Sequence, residues 1–515
     1  MSWEGKERSL RVLERDESGH LRRTTFGSDG KQYKASGRYN LRDELGLRVP
    51  SLDRIRRVLV DLFLPAGYPA SVTPDYLPYH AYNALQAFFS SLAGLIASRG
   101  ALQGVGVGDA SATATSALLL TVLQDVFGRI TTISAAYVFG TSLYPETKTF
   151  RLVADLVNDA SIVLDTLCPR LSLSFLHTFL LAISLCASAA LRALCGLVAG
   201  GSKAALTNHF ACTVPASTAA GGEAVVAGDV GELNAKDASR ETVVGLFGML
   251  LGTLLVPRLT SVRATWLTLV FLIAGHLLAN YLAVRSVSLR TLNRQRAGIL
   301  WTAWAARMRE REDADDVSPS ISSLAKAGGQ LALTPAEVSR RERILALPGT
   351  LRDARGHSIG YCELGASVSR VVARGGAENV RRALQSSSDA KFAKERYMLF
   401  ALPRRRVESK VELTVCFKEG ATPRDQLKAW AHALEAAARL RAASVSPDTN
   451  TVVEEAYAAV EAWFAPFMEA LSGAGWRVDA EGIMMGSIGA TVLGVEGDAV
   501  DDGVVLDGEA KVKRE

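Results

Sequence analysis

The sequence predicts a mainly α-helical protein: a membrane-embedded core of four to six apolar helices, with a smaller α/β module toward the C-terminus. Three observations lead there. Of the 515 residues 48% are hydrophobic and only 7% aromatic, and the mean hydropathy of +0.14 is higher than soluble enzymes usually show. Residues 264–284 (ATWLTLVFLIAGHLLANYLAV) contain no Asp, Glu, Lys or Arg, and 171–199 contain only Arg192, lengths sufficient to cross a hydrocarbon core. From about residue 346 the pattern changes to short β-type runs alternating with polar-faced helical runs.

In chain order, residues 1–50 are polar and charged and read as a weakly ordered or short-stranded lead-in. Arg54, Arg56 and Arg57 flank apolar residues at helical spacing, a basic amphipathic helix entering a core that runs over 51–311. Pro65, Pro69, Pro74 and Pro78 impose an extended or turn path, so a helix begins only after Pro78. That helix is uncharged over 79–98. Gly104, Gly106 and Gly108 break it, and Asp109 or Ser111 is placed to cap the next, which should end near Leu123, where Gln124, Asp125, Gly128 and Arg129 interrupt the apolar run.

Residues 148–168 set Asp155, Asn158, Asp159 and Asp165 among apolar residues at helical intervals. Carboxylates are costly in a bilayer and must face a cavity or a partner; on a cytosolic amphipathic helix they would face water. Residues 200–242 read as a polar loop that is either plain or folds back on the spans to complete a polar site. The Gly248-x-x-x-Gly252 pair that follows suits close helix contact. Arg285 to Arg311, around Trp301 and Trp304, reads as a cytoplasmic flank lying on headgroups. A linker (312–345), an α/β module (346–481) with a helix capped at Thr422, and a disordered Gly-rich, acidic tail (482–515) complete the chain.

Several chemistries find no support. A net charge of +5, from 58 basic and 53 acidic residues, is too small and dispersed for nucleic acid. Six cysteines without a C-x-x-C pair and seven histidines without H-E-x-x-H indicate neither disulfides nor metal, and His177 and His276 stand alone on apolar runs as packed core residues. Gly104 to Gly108 lacks the Lys-Ser/Thr of a phosphate loop. The N-terminus has no apolar signal region and carries acids unlike a transit peptide, so an intracellular membrane is expected, without plastid targeting.

The candidate functional positions are Asp109, Asp155, Asn158, Asp159, Lys203, Asn208, Lys236, Asp237 and Glu241. Lys203 and Lys236 are conceivable Schiff-base lysines, but no nucleophile–base–orienter arrangement surrounds them. No catalytic residue and no cofactor is therefore expected, and lipid is the expected partner. Asp-Ala-Ser recurs at 109–111, 159–161 and 237–239; a repeat would suit a protein of two related halves with polar sites between them.

FLPAGYPASVTPDYLPYHAYNALQAFFSSLAG, GVGVGDASATAT, DVFGRI, FRLVADLVNDAS, GSKAALTNHFA and ELNAKDASRETVVGLFGMLLG, in this order and spacing, resemble the root UV-B-sensitive (RUS) family over about residues 50–290. RYMLFALPRRR and FKEGATPRDQLKAWAHA resemble its more variable tail. The resemblance implies a membrane protein linked to vitamin B6 homeostasis and, in plants, to seedling development and root UV-B sensing. It implies no catalytic residue. A transport or scaffold role follows, with another RUS-family protein or a second copy as possible partner; the alternative is a peripheral or soluble helical protein acting through partner binding.

Overall fold

The computed structural model describes residues 10–15, 21–26, 32–35, 63–107, 114–171, 177–211, 228–312, 332–376, 381, 394–402, 410–442 and 449–493. The basic stretch 52–62, Asp109, Ser111, Arg404 to Arg406 and residues 494–515 lie outside them. The chain divides into two compact units, Met1–Pro348 with Ala465–Gly486, and Gly349–Phe464 with Ser487–Glu515, whereas the sequence reading drew one module over 346–481. Three short strands, β1 (Leu10–Arg15), β2 (Leu21–Phe26) and β3 (Gln32–Ala35), form an antiparallel sheet in the lead-in.

The first unit is built on α1 (Tyr76–Gly104), α2 (Ala114–Phe139), α3 (Thr147–Leu171), α4 (His177–Ala211), α5 (Val230–Leu255), α6 (Val262–Ser286), α7 (Arg294–Glu312) and α8 (Pro335–Arg341). α1 is the hub and packs against α3, α5 and α6. Its sequence explains this: Arg99 is its one fully charged residue, and a helix apolar or small all round has no face for water. Arg99 itself is used, its Nη1 donating to the carbonyls of Val256 (3.0 Å) and Leu259 (3.1 Å) at the end of α5. Where helices lie in lipid, apolar burial gives little drive and close backbone approach matters more. A Cβ on Gly248 would lie 2.8 Å from Ser91 Cβ, and one on Gly252 would overlap Leu95 Cδ1, so the glycine pair is what lets α5 lie on α1.

Among the described residues, four helical stretches are long and apolar enough to cross a membrane: Ala117–Phe139, Phe179–Ala211, Val230–Arg258 and Val262–Ser286. Their outer faces expose large apolar side chains, among them Leu119, Ile133, Phe247, Leu254, Leu267 and Phe271, more than a water-facing surface carries.

Several expectations are corrected. Gln124 to Arg129 do not interrupt α2, because the helix keeps its hydrogen bonds while Asp125 and Arg129 project outward. The described parts of the polar stretch 200–242 are helical, residues 212–227 lying outside the described residues: α4 runs on to Ala211, and α5 starts at Val230, capped by Asp229, whose Oδ1 accepts from Gly231 N (2.8 Å). The Asp-Ala-Ser segments at 159 and 237 accordingly lie inside helices and not at caps. Trp301 and Trp304 do not sit at a lipid interface. They are buried against Phe467, ring centroids 5.2 and 5.8 Å away.

The linker also shrinks. Residues 332–345 are folded, with α8 opened by a Thr334–Glu337 capping box. Glu342, just past α8, is buried, and its two oxygens meet Lys148 Nζ (2.6 Å) and Arg296 Nη1 (2.8 Å). Burial would raise the Glu342 carboxyl, but the charges and donors of Lys148 and Arg296 outweigh it and hold the group below the usual range. The start of the expected disordered tail is ordered as well: Ile483 bridges to Leu292, and β8 (Thr491–Val492) joins a sheet.

In the second unit, β4 (Thr350–Arg352), β5 (Ser358–Leu364), β6 (Tyr397–Ala401) and β7 (Val411–Lys418) lie in the order β4-β5-β7-β6, with β8 also on β7. The β5–β7 pairing is parallel and β6–β7 antiparallel. α9 (Val368–Gly375) sets Val371 on Met398, Phe400 and Cys416. α10 (Pro423–Ala442), capped as expected by Thr422, packs on the sheet, and α11 (Thr449–Gly473) follows. The buried His432 Nε2–H donates to the Val453 carbonyl (2.8 Å), leaving Nδ1 to accept from Tyr397 Oη (3.2 Å). That arrangement fits only a neutral ring, and burial pushes its pKa down to about 4.

Two outcomes are expected. Glu342→Ala strands two buried cations and should cost roughly 3–5 kcal/mol, seen as a lowered unfolding temperature with loss of Trp301 fluorescence shift. Because His432 binds its proton later in the folded than in the unfolded chain, stability should fall as pH drops from about 6.5 to about 4, by up to about 3 kcal/mol. Urea unfolding of the second unit should show this, and His432→Leu should flatten the slope while lowering stability overall.

Candidate functional site

The carboxylates of α3 face inward, and each finds its partner on another helix. Arg151 Nη1 reaches Asp155 Oδ1 (3.4 Å), and its Nη2 donates to Asn83 Oδ1 (3.1 Å) on α1. Asn280 on α6 donates to Asp155 Oδ2 and to the Arg151 carbonyl. One turn on, Asp159 meets His276 Nδ1 at 2.8 and 2.9 Å. Satisfying its neighbours orients the Gln86 amide with nitrogen toward His276 Nε2 (3.2 Å) and Asp155 Oδ2 (2.8 Å). Further along, Asp165 pairs with the half-exposed Arg192 of α4.

A second cluster joins α1, α4 and α5. Lys203 Nζ sits 2.6 Å from Asp237 Oδ2 and 2.9 Å from Glu241 Oε2. His80 Nδ1 faces Asp237 Oδ1 at 3.1 Å, yet neither atom has a well-directed hydrogen bond. Arg240 lies over the Tyr76 ring, donates from Nη2 to Tyr76 Oη (3.0 Å) and comes within 3.7 Å of Asp237, while its Nε lacks a directed bond. The Lys203 and Glu241 side chains remain 31% and 36% exposed, against 7% for Asp237 and His80, so the cluster opens at one side. Glu241 Oε1 accepts from Asn83 Nδ2 (3.2 Å) and so links this cluster to Arg151 and Asp155. The result is one chain of polar contacts over five helices: Asp237, Lys203, Glu241, Asn83, Arg151, Asp155, then His276 and Asp159.

The proline-rich segment before α1 is tied to the end of α4 and to the residues just past α6. Thr73 N donates to the Phe210 carbonyl (3.2 Å). Asp75 accepts from Thr73 Oγ1 (2.5 Å) and Ser288 N (2.7 Å) and pairs with His209 Nε2 (3.0 Å). Burial works to raise the Asp75 carboxyl; His209 and these donors overcome it and hold the group below its usual range. Beside it, a pocket lined by Tyr144, Asn208, His209, Arg290, Thr291 and Arg477 has room for about one water. Among the described residues no group of three or more His, Cys, Asp or Glu is placed to hold a metal.

Of the sequence candidates, Asp155, Asp159, Lys203, Asp237 and Glu241 come together. Asn158 turns aside to Ser90 Oγ (3.5 Å), and Asn208 donates to Tyr144 Oη (3.3 Å) near the pocket. Lys236 is half-buried on α5; one residue before Asp237, it points about 100° away from it. Asp109 lies outside the described residues. Arg151, His80, Asn83, Gln86 and Asn280 were missed. His276, read as a lone core residue, is buried but tied to Asp159. The available signal was mutual: buried carboxylates on one apolar helix need donors on others, and His276 and Asn280 sit one turn apart on an apolar span.

Comparison with known proteins places residues 50–308 in the domain described as "Vitamin B6 photo-protection and homoeostasis domain", and 333–484 in "Root UVB sensitive protein, C-terminal". "RUS family member 1" of Dictyostelium discoideum is 38% identical over 247 residues, covering 47% of this chain and 43% of that protein. "Protein root UVB sensitive 3" of Arabidopsis thaliana is 28% identical over 428 residues, covering 82% and 83%, and "Protein root UVB sensitive 6" is 24% identical over about half of each chain. The chain thus spans less than half of the Dictyostelium relative but most of root UVB sensitive 3. No solved structure matches it.

A double-mutant cycle should expose the coupling at the cluster. Lys203→Ala and Asp237→Ala should each destabilise, and the double variant should lose less than their sum by roughly 1–2 kcal/mol, measured by thermal unfolding in detergent.

Proposed function

We propose, from the premise that this chain belongs to the root UVB sensitive family, that it is a polytopic protein of an intracellular membrane with a transport role, not an enzyme. In this reading the buried polar chain carries protons coupled to a solute. The observation behind it is the contrast along that chain. Its deep end, Asp155, Asp159 and His276, is closed and mutually paired, while its outer end combines partly exposed Lys203 and Glu241 with buried His80 Nδ1 and Asp237 Oδ1 that lack directed bonds. Ionisable side chains inside apolar helices are expensive, and Asp, Glu and His chains of this kind are the usual means of moving protons through a bilayer.

A non-enzymatic role is favoured because the deep ionisable groups, Arg151, Asp155, Asp159 and His276, are engaged with one another. The matched domain's description points to vitamin B6, so pyridoxine, pyridoxal and pyridoxamine are the first solutes to test. A scaffold reading has one observation in its favour: the Arg151–Asp155–Asn280 contacts suit a fixed core as well as a relay.

Purified chain reconstituted in liposomes, with an interior pH dye and an imposed pH gradient, separates the two. Proton entry stimulated by one of the three vitamers is expected, reduced about tenfold or more in Asp237→Asn and Asp159→Asn. No proton or vitamer movement by a folded, inserted chain would leave the scaffold role.

A further inference from the structure

The outward face of α2 carries a pattern the fold does not use. Leu118, Val122, Asp125, Arg129, Thr132 and Ala136 recur at alternating intervals of four and three, and all are exposed. This is the a/d spacing of a helix that packs along another helix. The adjoining face, roughly 100° round the helix and including Gly128 and Ala135, is the one turned to α4; a Cβ on Gly128 would stand 3.7 Å from Ala193 Cβ. Thr132 Oγ1 donates to the Gly128 carbonyl of its own helix (3.0 Å), so the residue offers its methyl outward.

Asp125 and Arg129 flank the centre of the 23-residue apolar stretch Ala117–Phe139. Neither takes part in a hydrogen bond or ion pair among the described residues. Opposite charges at mid-span on a lipid-facing surface are costly, and Arg192, the other exposed mid-span charge, has Asp165 to pair with. The large apolar side chains on the outer faces of α5 and α6 need only lipid.

We propose that the α2 face is a self-association seam, its occupant the α2 of a second copy of this chain, with Asp125 of each copy paired to Arg129 of the other. Charge complementarity selects the partner: the face carries one acid and one base, so it is its own complement. All copies insert with the same orientation, so a closed pair has its twofold axis along the membrane normal and the two helices run parallel. Asp125 then lies roughly 6 Å in height from the partner helix's position 129, within the reach of an arginine. Two reciprocal pairs form, and the apolar and small seam residues above and below pack at the shallow angle usual for membrane bundles. This rests on the reading of α2 as a membrane span.

The test co-expresses two differently tagged full-length copies and measures co-purification from detergent. Asp125→Arg and Arg129→Asp should each reduce self-association by about tenfold or more. A chain bearing Asp125→Arg paired with one bearing Arg129→Asp should recover it, because the mixed pair restores both contacts whereas charges pairing within one helix would not. Leu118→Cys and Ala136→Cys should crosslink two unreversed copies above the background of the native cysteines, and Ile130→Cys, off the seam, should not; this arm holds even where a charge-reversed chain fails to fold. A monomeric chain, association indifferent to both reversals, failure of the mixed pair, or exclusive capture of a different membrane protein would each overturn the seam. Release of the chain by carbonate would overturn it too, by removing the membrane reading, and is recognised because the other outcomes leave the chain in the membrane.

Discussion

The helical unit depends on one constraint: Arg151, Asp155, Asp159 and Asp165 lie along one apolar-flanked helix, and none can be left without a partner in a low-dielectric core. A buried charge that loses its partner costs several kcal/mol, so the helices around α3 are fixed by what they must deliver. α6 brings His276 and Asn280, α1 brings Asn83 and Gln86, and α4 brings Arg192. Apolar contacts such as Leu92, Ile96, Leu269 and Leu272 fill the space between these anchors. Where helices lie in lipid, such polar pairs and the glycine contacts of α5 on α1 select one arrangement among many equally greasy ones.

Much of this was legible in the chain. Long uncharged runs gave the apolar helices, and Gly248 and Gly252 marked a true contact. The expectation that a helix begins only after Pro78 is corrected, because α1 starts at Tyr76 and takes Pro78 into its first turn, where the missing N–H costs no helical hydrogen bond. Asp155 and Asp159 stood out because carboxylates among apolar residues need a reason. Their partners were not legible, since Arg151, Asn83 and Gln86 look ordinary until a helix from elsewhere in the chain is laid beside them. Errors at 124–129 and 200–242 share a cause: polar residues were read as breaks in a helix, whereas a helix tolerates them when they project outward or pair inward. Trp301 and Trp304 misled for a related reason, because a tryptophan beside arginines looks alike at a lipid surface and against a distant Phe467.

The two kinds of unusual polar residue have different consequences. Those on α3 and α5 are turned inward and joined into one chain that opens at Lys203 and Glu241, an arrangement suited to passing protons. Asp125 and Arg129 are turned outward and make no hydrogen bond or ion pair among the described residues, an arrangement suited to another copy. A paired bundle would hold α2 and, through it, α4 with Lys203 in place while the remaining helices shift around the polar chain. Membership of the root UVB sensitive family and its vitamin B6 homoeostasis domain gives this architecture a physiological setting.

Infrared difference spectroscopy of the chain in lipid bilayers, across a pH jump and with Asp237→Asn and Asp159→Asn as assignments, tests most directly whether the polar chain moves protons. A relay predicts carboxyl bands that appear and vanish with the jump and are lost in the matching variant. Carboxylates that stay silent throughout the range in which the chain remains folded would contradict it and make the same contacts a purely structural core.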